Sequence, residues 1–304
     1  MLAVVAAAAA WALYRDHRAF VSTYRRIGPA PVVVSFAFGL VGVGATFPQW
    51  RDILAGLGVD LPWGDGSRVF FTSQLGKYLP GSVWPALLQM EAGRRRGAAR
   101  ATMLWANLAS LVVSCAVGLT VASVLLPAYD AAALRRYWWG LLAIPFLLAA
   151  LHPRVLPWAM DRALRLLRRP PLHQEVDFAR ELRAGGWSLL SWLALGAHLA
   201  SLVAGSGPVG FAPVALAVGG MALAVPLGIL FIPAPAGAGV RDVVLVLVLR
   251  STMASGPALA VVVGSRVLLV LCDLVLAAVV NLAFLRAGRR APAGGRPAGP
   301  MAGG

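Results

Sequence analysis

The stretch QLGKYLPGSVWP, residues 74–85, decides how the rest of the chain is interpreted. Its Lys77 is the only lysine in the chain, and every other basic residue is arginine. Because proline lacks a backbone N–H and glycine tolerates unusual dihedral angles, we expect a helix to break at Pro80 and Gly81. A broken helix persists at membrane depth only where protein or a water-filled cavity satisfies the freed backbone groups. The stretch therefore predicts a polar site inside a membrane protein.

The composition supports a membrane protein. Of the 304 residues, 59% are hydrophobic and 13% charged, whereas soluble domains have roughly 45–50% apolar and about 25% charged residues. The net charge of +15 belongs to arginines between apolar runs, which orient membrane helices, so nucleic-acid binding is not expected. Cys115 and Cys272 each lie in an apolar run without a metal-ligand spacing, and we expect neither a disulfide nor a metal.

The apolar runs predict an all-α, polytopic transmembrane bundle of about 8–9 helices with two Pro/Gly-broken or re-entrant segments. Residues 1–286 form the predicted transmembrane domain, and the Gly/Pro-rich, basic residues 287–304 form a predicted disordered tail. Residues 1–14 are short for a complete span. The apolar runs cover residues 1–14, 31–47, 68–90, 101–126, 137–151, 187–204, 211–232, 240–249 and 258–285.

Four arginine clusters orient the predicted bundle. They lie at residues 15–26, 94–100, 152–185 and from residue 286 onward. Nine alternating crossings place all four on one side, which the positive-inside rule makes cytoplasmic, together with the C-terminus. We therefore expect residues 68–90 to cross the membrane, because a re-entrant hairpin would export the cluster at residues 94–100. The expected location is the cytoplasmic membrane.

A second interrupted segment, FIPAPAGAGVRD at residues 231–242, lies in the other half of the chain. Its prolines and glycines do not sustain a helix, and a basic residue follows the break. Paired interruptions of this kind mark the binding site in transporters built from repeated halves. The predicted helix-break residues of the two segments are Pro80, Gly81, Pro233, Pro235, Gly237 and Gly239.

Charged side chains inside apolar spans are costly, and each is a candidate functional residue. We predict that Lys77 and Arg241, each beside a helix break, bind a lipid phosphate. Asp242 is expected to pair with either Arg241 or Lys77. Arg266 and Asp273 are seven residues apart on one helical face, too far for a direct bond, so each needs another partner, a ligand or water. The predicted supporting polar network consists of Gln74, Tyr78, Asp242, Arg266 and Asp273.

The sequence contains no recognisable catalytic constellation. A Gly-x-Ser-x-Gly elbow, a His-Glu-x-x-His motif and a P-loop are all absent, and no cofactor is expected. The polar residues Asn107, His198 and Asn281 are interpreted as contacts between packed helices. An enzyme is expected only if the fold assembles distant residues.

Two segments resemble a known family. FFTSQLGKYLPGSVWPALLQMEAGRRRG at residues 70–97 and PAPAGAGVRDVVLVLVL at residues 233–249 are similar to the signature segments of the lysylphosphatidylglycerol synthase transmembrane family, also called flippase-like. The family pattern ends in glutamate where this chain has Asp242, so the acid is kept but is shorter. The resemblance covers nearly the whole chain, to Leu285.

This resemblance implies a membrane domain that moves anionic or aminoacylated lipids between leaflets. Some members carry a soluble lysyl-transfer domain, which we do not expect after the last helix of this chain. Other members are associated with polyprenyl-phosphate glycan pathways. The expected function is binding and translocation of a phospholipid or polyprenyl-phosphate lipid. An enzyme that makes the lipid is the expected protein partner. The alternatives are an accessory subunit or transferase in lipid-linked glycan or aminoacyl-lipid synthesis, and a scaffold.

Overall fold

The structure is a computed structural model in which the described part of the chain is helical. It describes residues 17–79, 83–129, 132, 135, 138–150, 155, 158, 162, 178–207, 209–230 and 239–290. No strand occurs among these residues, which confirms the predicted all-α class. The predicted total of 8–9 helices depends in part on residues outside these ranges, and so does the short first span at residues 1–14.

Ten α-helices and two short 3₁₀ segments make up the described chain. The 3₁₀ segments are Leu75–Tyr78 and Trp138–Leu142. The α-helices are α1 (His17–Ile27), α2 (Pro29–Gly56), α3 (Trp63–Gln74), α4 (Trp84–Arg94), α5 (Arg100–Ala128), α6 (Ala143–Ala150), α7 (Phe178–Ser206), α8 (Phe211–Leu230), α9 (Val240–Leu249) and α10 (Ser255–Arg290).

Five of these helices are long and apolar enough to cross a membrane: α2, α5, α7, α8 and α10. They contain the apolar runs predicted at residues 31–47, 101–126, 187–204, 211–232 and 258–285, apart from the last two residues of the fourth run. Helix α10 continues to Arg290, four residues beyond the predicted domain boundary. Its length agrees with a span that extends past the hydrocarbon core into the interface.

Helices α2 and α7 form the centre of the bundle and run antiparallel. Three contacts fix their relative direction. Arg183 at the start of α7 lies 3.6 Å from Asp52 near the end of α2. The Ser191 hydroxyl donates to the Gly42 carbonyl at 2.8 Å, and His198 bonds Ser35 at 2.8 Å. Small residues permit this close approach, as is usual between membrane helices.

The bundle has two ends, each with its own apolar cluster. The end that we call the Trp50 end contains Trp50, Leu54, Met103 and Ala277. The opposite end, called the Ile27 end, contains Ile27, Val203, Leu249 and Ala258. Helix α2 runs from the Ile27 end to the Trp50 end, whereas α5 and α7 run in the reverse direction, and α10 runs in the same direction as α2.

Helices α3 and α4 form a hairpin whose two outer ends both lie at the Trp50 end. Arg96, just after α4, forms a salt bridge of 3.1 Å with Asp65 in the first turn of α3. Helices of 12 and 11 residues are each less than about 20 Å long, which is short of the ~30 Å hydrocarbon core. The prediction that residues 68–90 cross the membrane is therefore wrong.

The hairpin also changes the predicted distribution of the arginine clusters. Arg94, Arg95 and Arg96 lie at the Trp50 end, whereas Arg25 and Arg26 precede α2 and lie at the Ile27 end. The prediction of one shared side for these clusters is wrong, since a single span separates them. The cluster at residues 94–100 and the C-terminal end of α10 both lie at the Trp50 end. The hairpin therefore leaves these two clusters on the same side, as predicted.

Helices α8 and α9 form a second hairpin, which enters from the Ile27 end. Gly220 on α8 lies against Val248 near the end of α9, where an added Cβ would be 3.0 Å from a Val248 methyl carbon. Helix α9 has ten residues and is about 15 Å long, so it begins inside the bundle. The two hairpins thus approach each other from opposite ends, the arrangement expected of inverted structural repeats.

Cysteine accessibility tests the first hairpin. In a Cys115→Ala, Cys272→Ala background, we expect Asp60→Cys and Ala99→Cys to react with an impermeant maleimide from one side of sealed vesicles. Val209→Cys and Ser251→Cys should react from the other side, because these exposed positions lie at the Ile27 end. Labelling of Asp60→Cys and Ala99→Cys from opposite sides would show that residues 68–90 cross the membrane.

The close contact of α2 with α7 depends on Gly42. A Cβ there would lie 2.8 Å from Leu195 Cγ and 3.0 Å from the Leu195 backbone nitrogen, whereas a Cβ at Gly44 meets nothing within 4 Å. Gly42→Ala should therefore lower the free energy of unfolding by about 1–3 kcal/mol relative to Gly44→Ala. Both substitutions gain the same helix propensity, so thermal unfolding in detergent isolates the packing cost. Equal melting temperatures would contradict the α2–α7 contact.

Candidate functional site

A cavity lies between the two hairpins and α10, with a volume of about 340 Å³. Its size falls within the range of small-ligand pockets, roughly 300–1,000 Å³. Apolar side chains such as Val43, Leu195 and Leu269 form part of the wall. The predicted site residues that line it are Gln74, Lys77, Tyr78, Arg241, Arg266 and Asp273. The fold thus brings together residues separated by almost 200 positions in the sequence.

Lys77 is bound to α10 by an ion pair. Its Nζ lies 2.7 Å from Asp273 Oδ2 and 2.9 Å from Oδ1. The neighbouring Tyr78 hydroxyl also donates to Asp273 Oδ2 at 2.5 Å. The 3₁₀ turn Leu75–Tyr78 at the tip of α3 presents both side chains to the same carboxylate. Asp273 is only 3% exposed and Lys77 is 32% exposed, so the lysine keeps one face toward the cavity.

A second ion pair joins the other hairpin to the same helix. Arg266 Nη1 donates to Asp242 Oδ2 at 2.7 Å, and the Gly239 backbone N–H donates to the same oxygen at 3.2 Å. Asp242 therefore caps the start of α9 while it binds α10. Gly239 has a φ of 91°, a left-handed conformation that glycine adopts at little cost.

These two pairs settle the partners of the charged residues. Asp242 pairs with Arg266, so the expectation that it pairs with Arg241 or Lys77 is wrong. Of the three alternatives for Arg266 and Asp273, namely another side chain, a ligand or water, the structure shows a side-chain partner for each. The sequence did not reveal the pairing because it depends on which hairpin reaches which turn of α10.

Arg241 differs from the other charges because it has no carboxylate partner in the described structure. Its Nη2 is 3.6 Å from the Met221 sulfur, a weak acceptor. Its Nε is buried, and no hydrogen-bond partner for it exists among the described residues. Leaving a buried charged donor unsatisfied is expensive, more so than for a neutral group. An anion in the cavity would supply the missing hydrogen-bond acceptor of this guanidinium at the start of α9.

The structure describes one of the six predicted helix-break residues. Pro80, Gly81, Pro233, Pro235 and Gly237 lie outside the described residues, whereas Gly239 is described and begins α9. Leu79, just before the first predicted break, has an extended conformation, with φ −79° and ψ 151°.

Sequence reasoning missed several cavity-lining residues, which include Thr46, Ser114, Ser191, Trp192 and Met221. Three of them make bonds to backbone carbonyls: Thr46 to Val43, Ser191 to Gly42 and Trp192 Nε1 to Ser114. Small hydroxyls and tryptophan are common in membrane helices, so nothing in the sequence distinguishes these from others. Within the described ranges, no group of three or more His, Cys, Asp or Glu side chains is arranged to hold a metal.

The polar residues interpreted as helix contacts do serve in that way. His198 is fully buried between Ser35 and Ser265, with bonds of 2.8 Å to each. Asn107 donates to Gln89 at 2.7 Å, and Asn281 joins Arg68 to Thr72. None of the three polar residues lines the cavity.

The Lys77–Asp273 pair should contribute strongly to stability. Asp273→Asn removes the carboxylate and leaves Lys77 without its counter-ion, which we expect to lower the free energy of unfolding by about 3 kcal/mol. The same change at Asp60, which is 64% exposed and bound to Arg51, should cost about 1 kcal/mol or less. Thermal or denaturant unfolding in detergent measures both. Adding Lys77→Met to Asp273→Asn should recover part of the loss, and a double variant no more stable than Asp273→Asn would contradict the pairing.

Comparison with known proteins gives the family. The family model described as "Lysylphosphatidylglycerol synthase TM region" matches residues 1–277 of the 304. A search of curated proteins finds no match. The matched region contains both hairpins, both ion pairs and Arg241, and its apolar helices agree with a multi-pass membrane protein. The chain therefore belongs to the lysylphosphatidylglycerol synthase transmembrane family.

Proposed function

We propose that the protein binds an anionic, phosphate-bearing lipid and translocates it across the cytoplasmic membrane. The observation that carries this proposal is Arg241, a cation without an oxygen acceptor in the described structure, at a cavity inside the bundle. A phosphate oxygen supplies the acceptor that the guanidinium lacks. The family name, which refers to a phospholipid, supports a lipid as the source of the phosphate.

Lys77 takes a secondary part in this proposal. Because Asp273 already binds its ammonium at two oxygens, Lys77 adds long-range attraction and one exposed face to the phosphate. The apolar walls formed by Val225 and Leu269 suit the start of an acyl or prenyl chain. Gln74 and Tyr78 provide polar contacts at the tip of the α3–α4 hairpin.

The two ion pairs offer a route for alternating access. One pair holds the hairpin from the Trp50 end to α10, and the other pair holds the hairpin from the Ile27 end to the same helix. Release of one pair at a time would open the cavity toward one leaflet while the other hairpin stays closed. Transporters of inverted-repeat design move in this manner around a fixed site.

The charge distribution supports an orientation with the Trp50 end in the cytoplasm. Arginines near the ends of the helices concentrate there, which the positive-inside rule associates with the cytoplasmic side. Among the arginines whose side chains are described in or directly next to the ten α-helices, those at the Trp50 end are Arg51, Arg68, Arg94, Arg95, Arg96, Arg100, Arg180, Arg183 and Arg286, and those at the Ile27 end are Arg25, Arg26 and Arg250. This orientation places the C-terminal end of α10 in the cytoplasm, where an enzyme that makes the lipid would act.

A second candidate is a transferase or an accessory subunit in lipid-linked glycan or aminoacyl-lipid synthesis. Asp273 beside Lys77 in a polar cavity favours it, because an enzyme needs a carboxylate at the lipid headgroup. However, Asp273 accepts bonds from Lys77 and Tyr78, which suits a structural counter-ion better than a base. We therefore favour a non-enzymatic protein.

A transport assay with a matched control tests the main proposal. In proteoliposomes that contain fluorescent phosphatidylglycerol, we expect Arg241→Gln to slow movement between leaflets at least tenfold, since a charge-assisted hydrogen bond contributes roughly 1.5–3 kcal/mol. Arg250→Gln, an exposed arginine at the end of the same helix, should stay within about twofold of wild type, the effect of at most ~0.5 kcal/mol expected for surface positions. Dithionite quenching of the outer leaflet measures the rate.

Equal rates for wild type, Arg241→Gln and protein-free vesicles would overturn the translocation proposal. Mass spectrometry of the recovered lipid distinguishes a transferase, the second candidate function, from a lipid transporter. A covalent change in the lipid that requires Asp273 would favour a transferase, whereas unchanged lipid on the opposite leaflet supports transport.

A further inference from the structure

The charges in and next to the cavity do not balance. Among the described residues, the cations are Lys77, Arg241 and Arg266, and the anions are Asp273 and Asp242. Each carboxylate is bound to one cation, at 2.7 Å in both cases. Arg241 alone carries a charge that no carboxylate in the described structure compensates. The described side chains in and next to the cavity therefore carry a net charge of +1.

Two segments that are neighbours of site residues in the sequence add no further charge. Residues 231–238 have the sequence FIPAPAGA and residues 80–82 have the sequence PGS, so neither contains an ionisable side chain. The remaining polar residues that line the cavity, among them Gln74, Ser114 and Thr46, are neutral. The excess of one positive charge therefore does not depend on where those two segments lie.

We propose that the cavity selects a lipid headgroup with one negative charge, that is, a phosphodiester whose remaining groups are neutral. This inference rests on the proposed lipid-binding function and defines its substrate class. Phosphatidylglycerol and a prenyl phosphosugar both fit this description. An aminoacylated phosphatidylglycerol and a zwitterionic phospholipid do not fit it.

A lipid group that carries an ammonium finds no unpaired carboxylate among the described residues of this cavity. Both carboxylates already bind basic side chains, and Asp273 also accepts the Tyr78 hydroxyl. An aminoacyl headgroup would bring its ammonium groups close to Arg241, Arg266 and Lys77. Like charges at short range in a poorly solvated site repel strongly. Binding of a cationic lipid would thus require one of the two ion pairs to break.

A headgroup with two negative charges lacks a second free cation. Lys77 and Arg266 are each engaged by a carboxylate, so a phosphomonoester would have one charge without a partner. A diester has its single charge shared by two oxygens, which matches the fork of one guanidinium. The charge of the cavity and the geometry of Arg241 thus favour the same class of ligand.

The lipid itself is the expected source of the diester. Val43, Leu195, Val225, Leu269 and Val270 line the cavity next to the charged groups. These side chains have no polar role and suit the hydrocarbon end of a headgroup. A water-soluble phosphodiester would leave them in contact with water.

Competitive lipid binding measured by native mass spectrometry tests this inference. Detergent-purified protein is mixed with equal amounts of phosphatidylglycerol, lysyl-phosphatidylglycerol, phosphatidylethanolamine and phosphatidic acid. We expect phosphatidylglycerol to be retained at least tenfold over each of the others. Arg241→Gln should remove this preference, Arg241→Lys should keep most of it, and Arg250→Gln should keep all of it.

The outcomes separate this inference from the proposed function. Equal or preferred retention of lysyl-phosphatidylglycerol by wild type would overturn the charge selection, even if vesicle assays show transport. Selective binding of phosphatidylglycerol without transport would support the selection and overturn translocation. Glycerophosphoglycerol, the deacylated headgroup, is added as a competitor. If it displaces phosphatidylglycerol at equal concentration, the assignment to a lipid is overturned.

Discussion

The contact between Lys77 and Asp273 is the interaction on which the arrangement of this protein depends. A carboxylate that is 3% exposed in the middle of an apolar helix is tolerated only with a close counter-ion. The counter-ion comes from the tip of a hairpin whose two helices are too short to cross the membrane. The ion pair thus fixes how deep the hairpin enters and which turn of α10 it reaches. The cavity exists because the hairpin stops there.

The second hairpin repeats this solution from the opposite end. Asp242 caps α9 and binds Arg266, two helical turns from Asp273 on the same face of α10. Helix α10 thereby contacts both hairpins. It contributes one anion, Asp273, to the first hairpin and one cation, Arg266, to the second. This pairing compensates four of the five charges at the site. Arg241 has no carboxylate partner among the described residues. Its unpaired charge is the feature of the fold from which the proposed anion binding follows.

The sequence predicted much of this site and misassigned its topology. Lys77, Arg241, Arg266 and Asp273 were identified because ionisable residues are rare in apolar runs and costly to bury there. The arginine clusters were a weaker guide. Residues 68–90 have enough length and hydrophobicity for one crossing or for two half-crossings, and the positive-inside rule accepts either when arginines occur at both ends. The contact of Arg96 with Asp65 and the separate short helices α3 and α4 distinguish the two.

The sequence by itself determined that the chain is an all-helical membrane protein, that two interrupted segments carry buried charges, and that the family resemblance covers nearly its whole length. These features depend on local composition and residue spacing, which can be read directly from the amino-acid sequence. The tertiary structure decided that the hairpins enter from opposite ends, that Asp242 binds Arg266 and Asp273 binds Lys77, and that Arg241 has no carboxylate partner among the described residues. Such pairings depend on which turns of distant helices lie at the same depth, and that depth is set by the packing of the whole bundle.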